Sequence, residues 1–221
     1  MAERWATFDC YGTIVDWNAG IGDKLEHLFG VEHCDRLLAR YHELEPEIQA
    51  GNPGHSYREV LTIALEQLAS EEGLMLPEGE TSALAKSLPS WPVFEDAAPA
   101  LEEARSRGWR LAILSNTDRD LLDASMVAIG VTFDGSIVAG EIGSYKPATK
   151  HWTVFREQTG VGSERHVHVA QSLFHDVAAV AHLGIPSVWI NRLGEPDDPR
   201  PHRTLPSLTG LSDALDEIVP A

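Results

Sequence analysis

Residues 5–13 read Trp-Ala-Thr-Phe-Asp-Cys-Tyr-Gly-Thr, a short apolar run that ends on Asp9 and breaks at Gly12. A run of this length closed by a turn residue is the pattern of a buried strand. Similar runs recur at Trp109 to Leu114, Ser136 to Val138, His166 to Ala170 and Pro186 to Ile190. From Trp91 onward they alternate with helical segments at Ala97 to Ser106, Arg119 to Ile129, Thr149 to Thr159 and Val177 to Leu183. That alternation predicts an α/β fold built on a Rossmann-like parallel sheet.

Between the first strand and Trp91 the pattern is helical, over Ala19 to Leu28, Cys34 to Ile48 and Tyr57 to Glu72, with no convincing strand. We read residues 16–91 as an inserted α-helical cap domain and residues 1–15 with 92–221 as the core. Gly51 to Gly54 and Pro89 to Pro92 are the expected breaks, since Gly and Pro punctuate helices. Gly194 to Pro206, rich in Pro and Asp, reads as a surface loop, and no internal repeat is visible.

The 221 residues suffice for a substantial core, and 43% hydrophobic with 23% charged residues is ordinary globular composition. Thirty-four acidic against 17 basic side chains give a net charge of −17, a field that repels polyanions. Nucleic acid is therefore not an expected partner. The opening MAERWATFD is too polar for a signal peptide, and no run approaches the roughly 18 apolar residues of a membrane span. The expectation is a cytoplasmic protein with no membrane partner. Cys10 and Cys34 follow no metal or redox spacing and are expected to be reduced.

In an open parallel sheet, ligands collect at the carboxyl ends of the strands. Four such ends carry reactive chemistry: Asp9 with Thr13, Ser115 with Asn116, Lys146 in GSYKP, and Asp176 in QSLFHD. Singly these residue types have commoner uses, as Asp and Asn cap helices and make turns, and a Lys before Pro is usually a solvated loop residue. Together they offer a nucleophile, donors, a cation and an acid to one pocket. His166 and His168 share a strand face, but no third ligand stands at a recognisable spacing, so structural histidines are the expectation and no metal site.

These motifs, in this order, resemble the haloacid dehalogenase superfamily: an Asp-x-x-Gly-Thr loop, a Ser or Thr after the next core strand, a Lys and a late acidic motif. The resemblance covers the whole chain, cap included. Phosphatases of the superfamily carry a second Asp two residues after the first, which protonates the departing alkoxide; here that residue is Tyr11. A halide leaves as a weak base and needs no proton. The phosphatases' late Gly-Asp-Ser is here Ala170, Gln171 and Ser172, which thins the carboxylate supply for Mg²⁺.

Asp-x-Tyr-Gly-Thr, Ser115 with Asn116, and a cap arginine, for which Arg40 is the match, resemble the L-2-haloacid dehalogenases. That resemblance implies a small anionic substrate, no cofactor, a homodimer, and attack by Asp9 on the substrate α-carbon to give an ester that water hydrolyses to a 2-hydroxy acid. Lys146 would keep Asp9 ionised and Thr13 would hydrogen-bond it. Ser115 and Ser172 would bind the substrate carboxylate, Tyr11 would line the site, and Arg40 and Asn116 would face the halide. Asp176 would hold Lys146 and position water.

The dehalogenases' Ser-Ser-Asn-x-Trp-Asp motif is here Gln171-Ser172-Leu173-Phe174-His175-Asp176, so Gln171 or His175 would have to orient the water, or the substrate range has changed. Their tyrosine six residues after the motif lysine corresponds to Trp152, and Trp17 and Phe174 can line an apolar pocket. Alternative readings are a Mg²⁺-dependent phosphatase or phosphonate hydrolase of the superfamily, and a catalytically silent binding relative.

Overall fold

A computed structural model describes residues 3–221; Met1 and Ala2, the first residues of the stretch read for a leader, lie outside the described residues. Strand β1 (Arg4–Phe8) is followed by helices α1 (Trp17–Phe29), α2 (Val31–Gly51), α3 (Tyr57–Glu71) and the short α4 (Ala83–Ser87). The chain then alternates: α5 (Ala97–Ser106), β2 (Trp109–Ser115), α6 (Arg119–Ile129), β3 (Gly135–Val138), α7 (Ala139–Ile142), α8 (Lys150–Thr159) and β4 (His166–Ala170). It closes with α9 (Ala178–Leu183), β5 (Ser187–Ile190), β6 (Arg203–Leu205) and α10 (Leu211–Ile218).

The six strands form one parallel sheet in the order β3-β2-β1-β4-β5-β6. Every residue of β1, β4 and β5 is buried, because helices cover both faces, and this is why these strands read as unbroken apolar runs and not as alternation. The order reverses at β1, which pairs with β2 on one side and β4 on the other, so the crevice at the topological switch point opens directly above Asp9.

The expected strands are all present. The sixth, β6, lies inside the stretch expected to be surface loop; three residues on the sheet edge, with Arg203 and Thr204 exposed, leave no periodicity to read.

The helices α1 to α4 fill the stretch between β1 and α5. Asp16 caps α1 by accepting from the Ala19 N–H at 3.0 Å, and Ser56 with Glu59 forms a capping box at the start of α3. Both connections to the sheet run together. Asp16 N–H donates to Pro92 O at 2.7 Å, Phe94 N–H donates to Ile14 O at 3.0 Å, and Val15 bridges Val93. Gly20 is required beside them, since a Cβ there would overlap the Trp91 ring. One apolar core runs through both layers, joining Phe8 and Ile14 to Leu25, Leu37, Leu61 and Leu65. Cys10 and Cys34 are unpaired. Among the described residues, no helix is long and apolar enough to cross a membrane.

Candidate active site

Asp9 leaves β1 with its N–H donated to Val169 O at 3.0 Å, which fixes the backbone at the switch point. The chain turns sharply at Gly12, whose φ of 96° suits glycine, and Thr13 comes back beneath Asp9. Thr13 Oγ1 donates to Asp9 Oδ2 at 2.9 Å and accepts the Gln171 N–H at 2.9 Å, so the loops after β1 and β4 share one hydroxyl.

Lys146 is buried, and its ammonium has three acceptors: Asp9 Oδ1 at 2.8 Å, Asp176 Oδ1 at 2.7 Å and Leu114 O at 2.9 Å. All three N–H groups are used. Asn116 sets the lysine's backbone, accepting the Lys146 N–H at 2.7 Å and donating to Lys146 O at 3.1 Å. Asp176 is brought inward by a wide, π-type turn over Leu173–Val177, in which Val177 N–H reaches Ser172 O at 3.1 Å.

The two carboxylates beside Lys146 differ. Burial raises Asp9, Lys146 draws it back and the Asp176 charge raises it again, leaving it above the ordinary aspartate value. Burial raises Asp176 too, but Lys146 and His168 outweigh it and hold this carboxyl well below the ordinary range. Lys146 would be lowered by burial, yet the two carboxylates keep it raised. The result is an Asp176 that stays ionised well below the ordinary aspartate range and a more basic Asp9.

His168 supplies what Lys146 does not. Its Nε2 lies 2.9 Å from Asp176 Oδ1, and Thr7 Oγ1 lies 2.8 Å from His168 Nδ1 and 2.7 Å from His166 Nε2. Since the carboxylate only accepts, His168 presents a proton to it on Nε2, and Thr7 Oγ1 lies against Nδ1. His166 and His168 are buried, hydrogen-bonded members of the sheet, and His168 lies against the site. Among the described residues, no three His, Cys, Asp or Glu stand together as a metal-ligand group, and the Lys146 ammonium lies between the two carboxylates that converge.

Above this base is a cavity of about 410 Å³ lined by Asp9, Tyr11, Ser115, Asn116, Lys146, Gln171, Ser172 and Asp176. The structure thus brings together every residue expected in the site except Thr13, which lies beneath Asp9, and Arg40. Three polar atoms of lining residues are buried without a protein partner: Ser115 Oγ, Asp176 Oδ2 and His175 Nε2. Ser172 Oγ accepts the His175 N–H at 3.0 Å and stands 3.1 Å from His175 Nδ1. Burial lowers His175 to about 4, which keeps it neutral. Ser115 Oγ is free to donate into the cavity and Asp176 Oδ2 is free to accept there.

Arg40 is the correction. It lies outside the cavity, its Nε 2.8 Å from Glu71 and its Nη1 2.8 Å from Glu43. The face of α2 turned to the cavity carries His42, Glu45 and Pro46, and Arg40 sits about 200° round the helix from His42. Trp152 is also outside, packed edge-on against His168 with ring centroids 5.2 Å apart, and Leu173 does not line the cavity. Trp17 and Phe174 do. Tyr11 stacks on Tyr57 at 6.4 Å and its hydroxyl lies 3.0 Å from Ser125 Oγ.

Sequence reasoning missed Glu45, His42 and Tyr57, which the helical layer contributes to the cavity. Glu45 is 5% exposed, and a lone Glu on a helix of mixed charge gives no sign of facing inward.

The sequence profile of the haloacid dehalogenase-like hydrolases matches residues 4–184. The (S)-2-haloacid dehalogenase 4A of Burkholderia cepacia is 28% identical over 204 residues, 88% of this chain and 86% of that protein. A phosphoserine phosphatase of Thermus thermophilus is 31% identical over 174 residues, 77% of this chain and 68% of that one. A crystal structure of an L-2-haloacid dehalogenase superimposes with a TM-score of 0.87 at 21% identity, covering 98% of this chain and 100% of its own, a likeness of fold. With the profile spanning most of the chain and the motif residues meeting at one strand-end cavity, this protein belongs to the haloacid dehalogenase-like hydrolases.

Proposed function

We propose that this hydrolase cleaves the carbon–halogen bond of short 2-haloacids, with Asp9 as covalent nucleophile and a 2-hydroxy acid as product. The observation that carries the reading is the charge at the base of the cavity. Among the described residues Lys146 is the single Lys or Arg lining it, and its ammonium is already shared by Asp9 and Asp176. A dianionic phosphate ester would need a metal ion to offset its two charges, and Lys146 already engages the two carboxylates that would hold one, whereas a haloacid brings one charge, which the Ser115 hydroxyl can receive by a hydrogen bond. Tyr11, engaged with Ser125, stands where a phosphatase has its second carboxylate.

In this reading Asp9, held by Thr13 and Lys146, attacks the α-carbon and forms an ester. Asp176 Oδ2 orients the water that opens it, and Lys146 neutralises the charge on the Asp9 carboxyl during the attack. No step needs a metal or other cofactor. The reading is tested by halide release from a panel of short 2-haloacids of both hands. Turnover of phosphate esters with Mg²⁺, and none of the panel, would replace it with the phosphatase reading, which the Thermus relative represents.

A further inference from the structure

Arg192 follows the end of β5 and is largely buried, where it meets both connections between the sheet and the inserted helices. Its Nη2 and Nε donate to Thr13 O at 2.9 and 3.3 Å. Nη2 and Nη1 donate to the two carboxylate oxygens of Asp96 at 2.9 and 3.2 Å, and the guanidinium carbon lies 3.7 Å from the centre of the Phe94 ring. Asp96 is anchored in turn by the Leu208 N–H at 2.6 Å. Thr13 stands on the way from β1 to α1, and Phe94 and Asp96 stand on the way back to α5, so one side chain grips both.

The grip matters because of what the same threonine does on its other side. Its hydroxyl donates to Asp9 Oδ2 and accepts the Gln171 N–H. Among the described residues no backbone N–H reaches Thr13 O, and a buried carbonyl needs a donor, so Arg192 holds the peptide from which that hydroxyl is presented. A β-branched side chain is stiff at χ1, and the hydroxyl therefore follows its backbone. We infer that Arg192 is a positioning residue for the reaction: by clamping the Thr13 carbonyl to Asp96 it aims the Thr13 hydroxyl at Asp9 and so sets the pose of the attacking carboxylate. The inference rests on the reading of Asp9 as nucleophile. Arg192 lies outside the walls of the cavity and works through Thr13. Its planar fork makes four contacts to two partners at once, which a lysine cannot reproduce.

The protonation of Asp9 reports on this arrangement. Burial raises it, Lys146 lowers it, Asp176 raises it, and the Thr13 hydrogen bond adds to the lowering. The titratable groups around Asp9 are Lys146 and Asp176 beside it and Tyr11, His42, Glu45 and His175 in the cavity wall, and all of them stay in place when Arg192 or Thr13 is replaced. A Thr13 hydroxyl that has lost its aim no longer favours the ionised form, so Asp9 moves upward. Removing the Arg192 charge would act in the same direction through space, but that effect persists without the Thr13 hydroxyl, whereas a positioning effect vanishes with it.

The test is a double-mutant cycle on Arg192→Met and Thr13→Val, with Arg192→Lys beside it. Two quantities are measured: kcat and KM for halide release, and the titration of the Asp9 carboxyl by carbon-13 NMR of aspartate-labelled protein, its resonance identified by its loss in Asp9→Asn. Denaturant unfolding shows which variants are folded. Arg192→Met is expected to lower kcat about tenfold or more with KM within about threefold, and to move Asp9 upward. Added to Thr13→Val it should change kcat by less than about twofold and leave Asp9 where Thr13→Val puts it. Arg192→Lys should show a smaller loss of the same pattern, and it carries the comparison if Arg192→Met does not fold. Equal effects of the Arg192 variant in both Thr13 backgrounds, or a variant less stable to denaturant whose kcat and Asp9 titration match the wild type, overturns the role. Absence of halide release from the wild-type protein overturns the dehalogenase reading instead, and the Asp9 titration then decides the place of Arg192 by itself.

Discussion

Asp176 Oδ1 lies 2.9 Å from His168 Nε2 within the sheet, so a strand residue eight positions upstream shares with Lys146 the work of holding this carboxylate. Replacing His168 by Leu removes one of its two donors and leaves Thr7 and His166 to repair their own hydrogen bonds. The expected loss is about 1–3 kcal/mol in denaturant unfolding, with a lower kcat. His168→Gln, which keeps a donor near the Nε2 position, should recover part of both. The same pairing sets acid sensitivity. Because the folded carboxyl is held below its unfolded value, its contribution is complete above pH of about 3.9 and disappears as pH falls below that.

Asp9 is the opposite case. It must be ionised to attack, and its value is raised, so the acid limb of kcat/KM should lie above the ordinary aspartate value of about 3.9. Asp9→Asn should lower kcat by on the order of 10³-fold or more. In a single turnover with excess enzyme in heavy-oxygen water, the label should enter the Asp9 side chain while the first product stays largely unlabelled. Label in the first product with an unlabelled Asp9 would point to direct attack by water.

Halide release should persist after exhaustive treatment with a chelator, because Lys146 already supplies the positive charge between Asp9 and Asp176. Complete loss, restored by Mg²⁺, would return the site to phosphoryl chemistry.

Arg40→Ala should leave kcat/KM within about twofold of wild type. The guanidinium is engaged with Glu43 and Glu71 on the outer side of α2. A large fall in kcat at unchanged stability would mean that the helix turns in the presence of substrate.

The strand ends were readable because an aspartate, a hydroxyl, a lysine and a second aspartate each follow a buried apolar run, and a parallel sheet gathers such positions whatever the intervening length. The helical contribution was not. In LLARYHELEPEIQ both Arg40 and Glu45 sit among charges, and only the packing of α2 against Tyr57 and the sheet decides which face turns inward. His168 was equally hidden, since its partner Asp176 arrives through a wide turn that no periodicity announces. β6 is too short and too exposed to leave a pattern.

The central place of β1 carries a consequence for synthesis. Its partners are Trp109 to Ile113 of β2 and His166 to Val169 of β4, so the strand that leads to Asp9 leaves the ribosome with both edges open. More than a hundred residues must follow before either edge is covered on the way to the complete sheet. The segment made in the interval is α1, α2 and α3, whose contacts are local and close quickly. The inserted helices thus reach their own contacts while β1 still waits for both of its partner strands, so the hydrophobic strand is the part of the growing polypeptide that stays open longest.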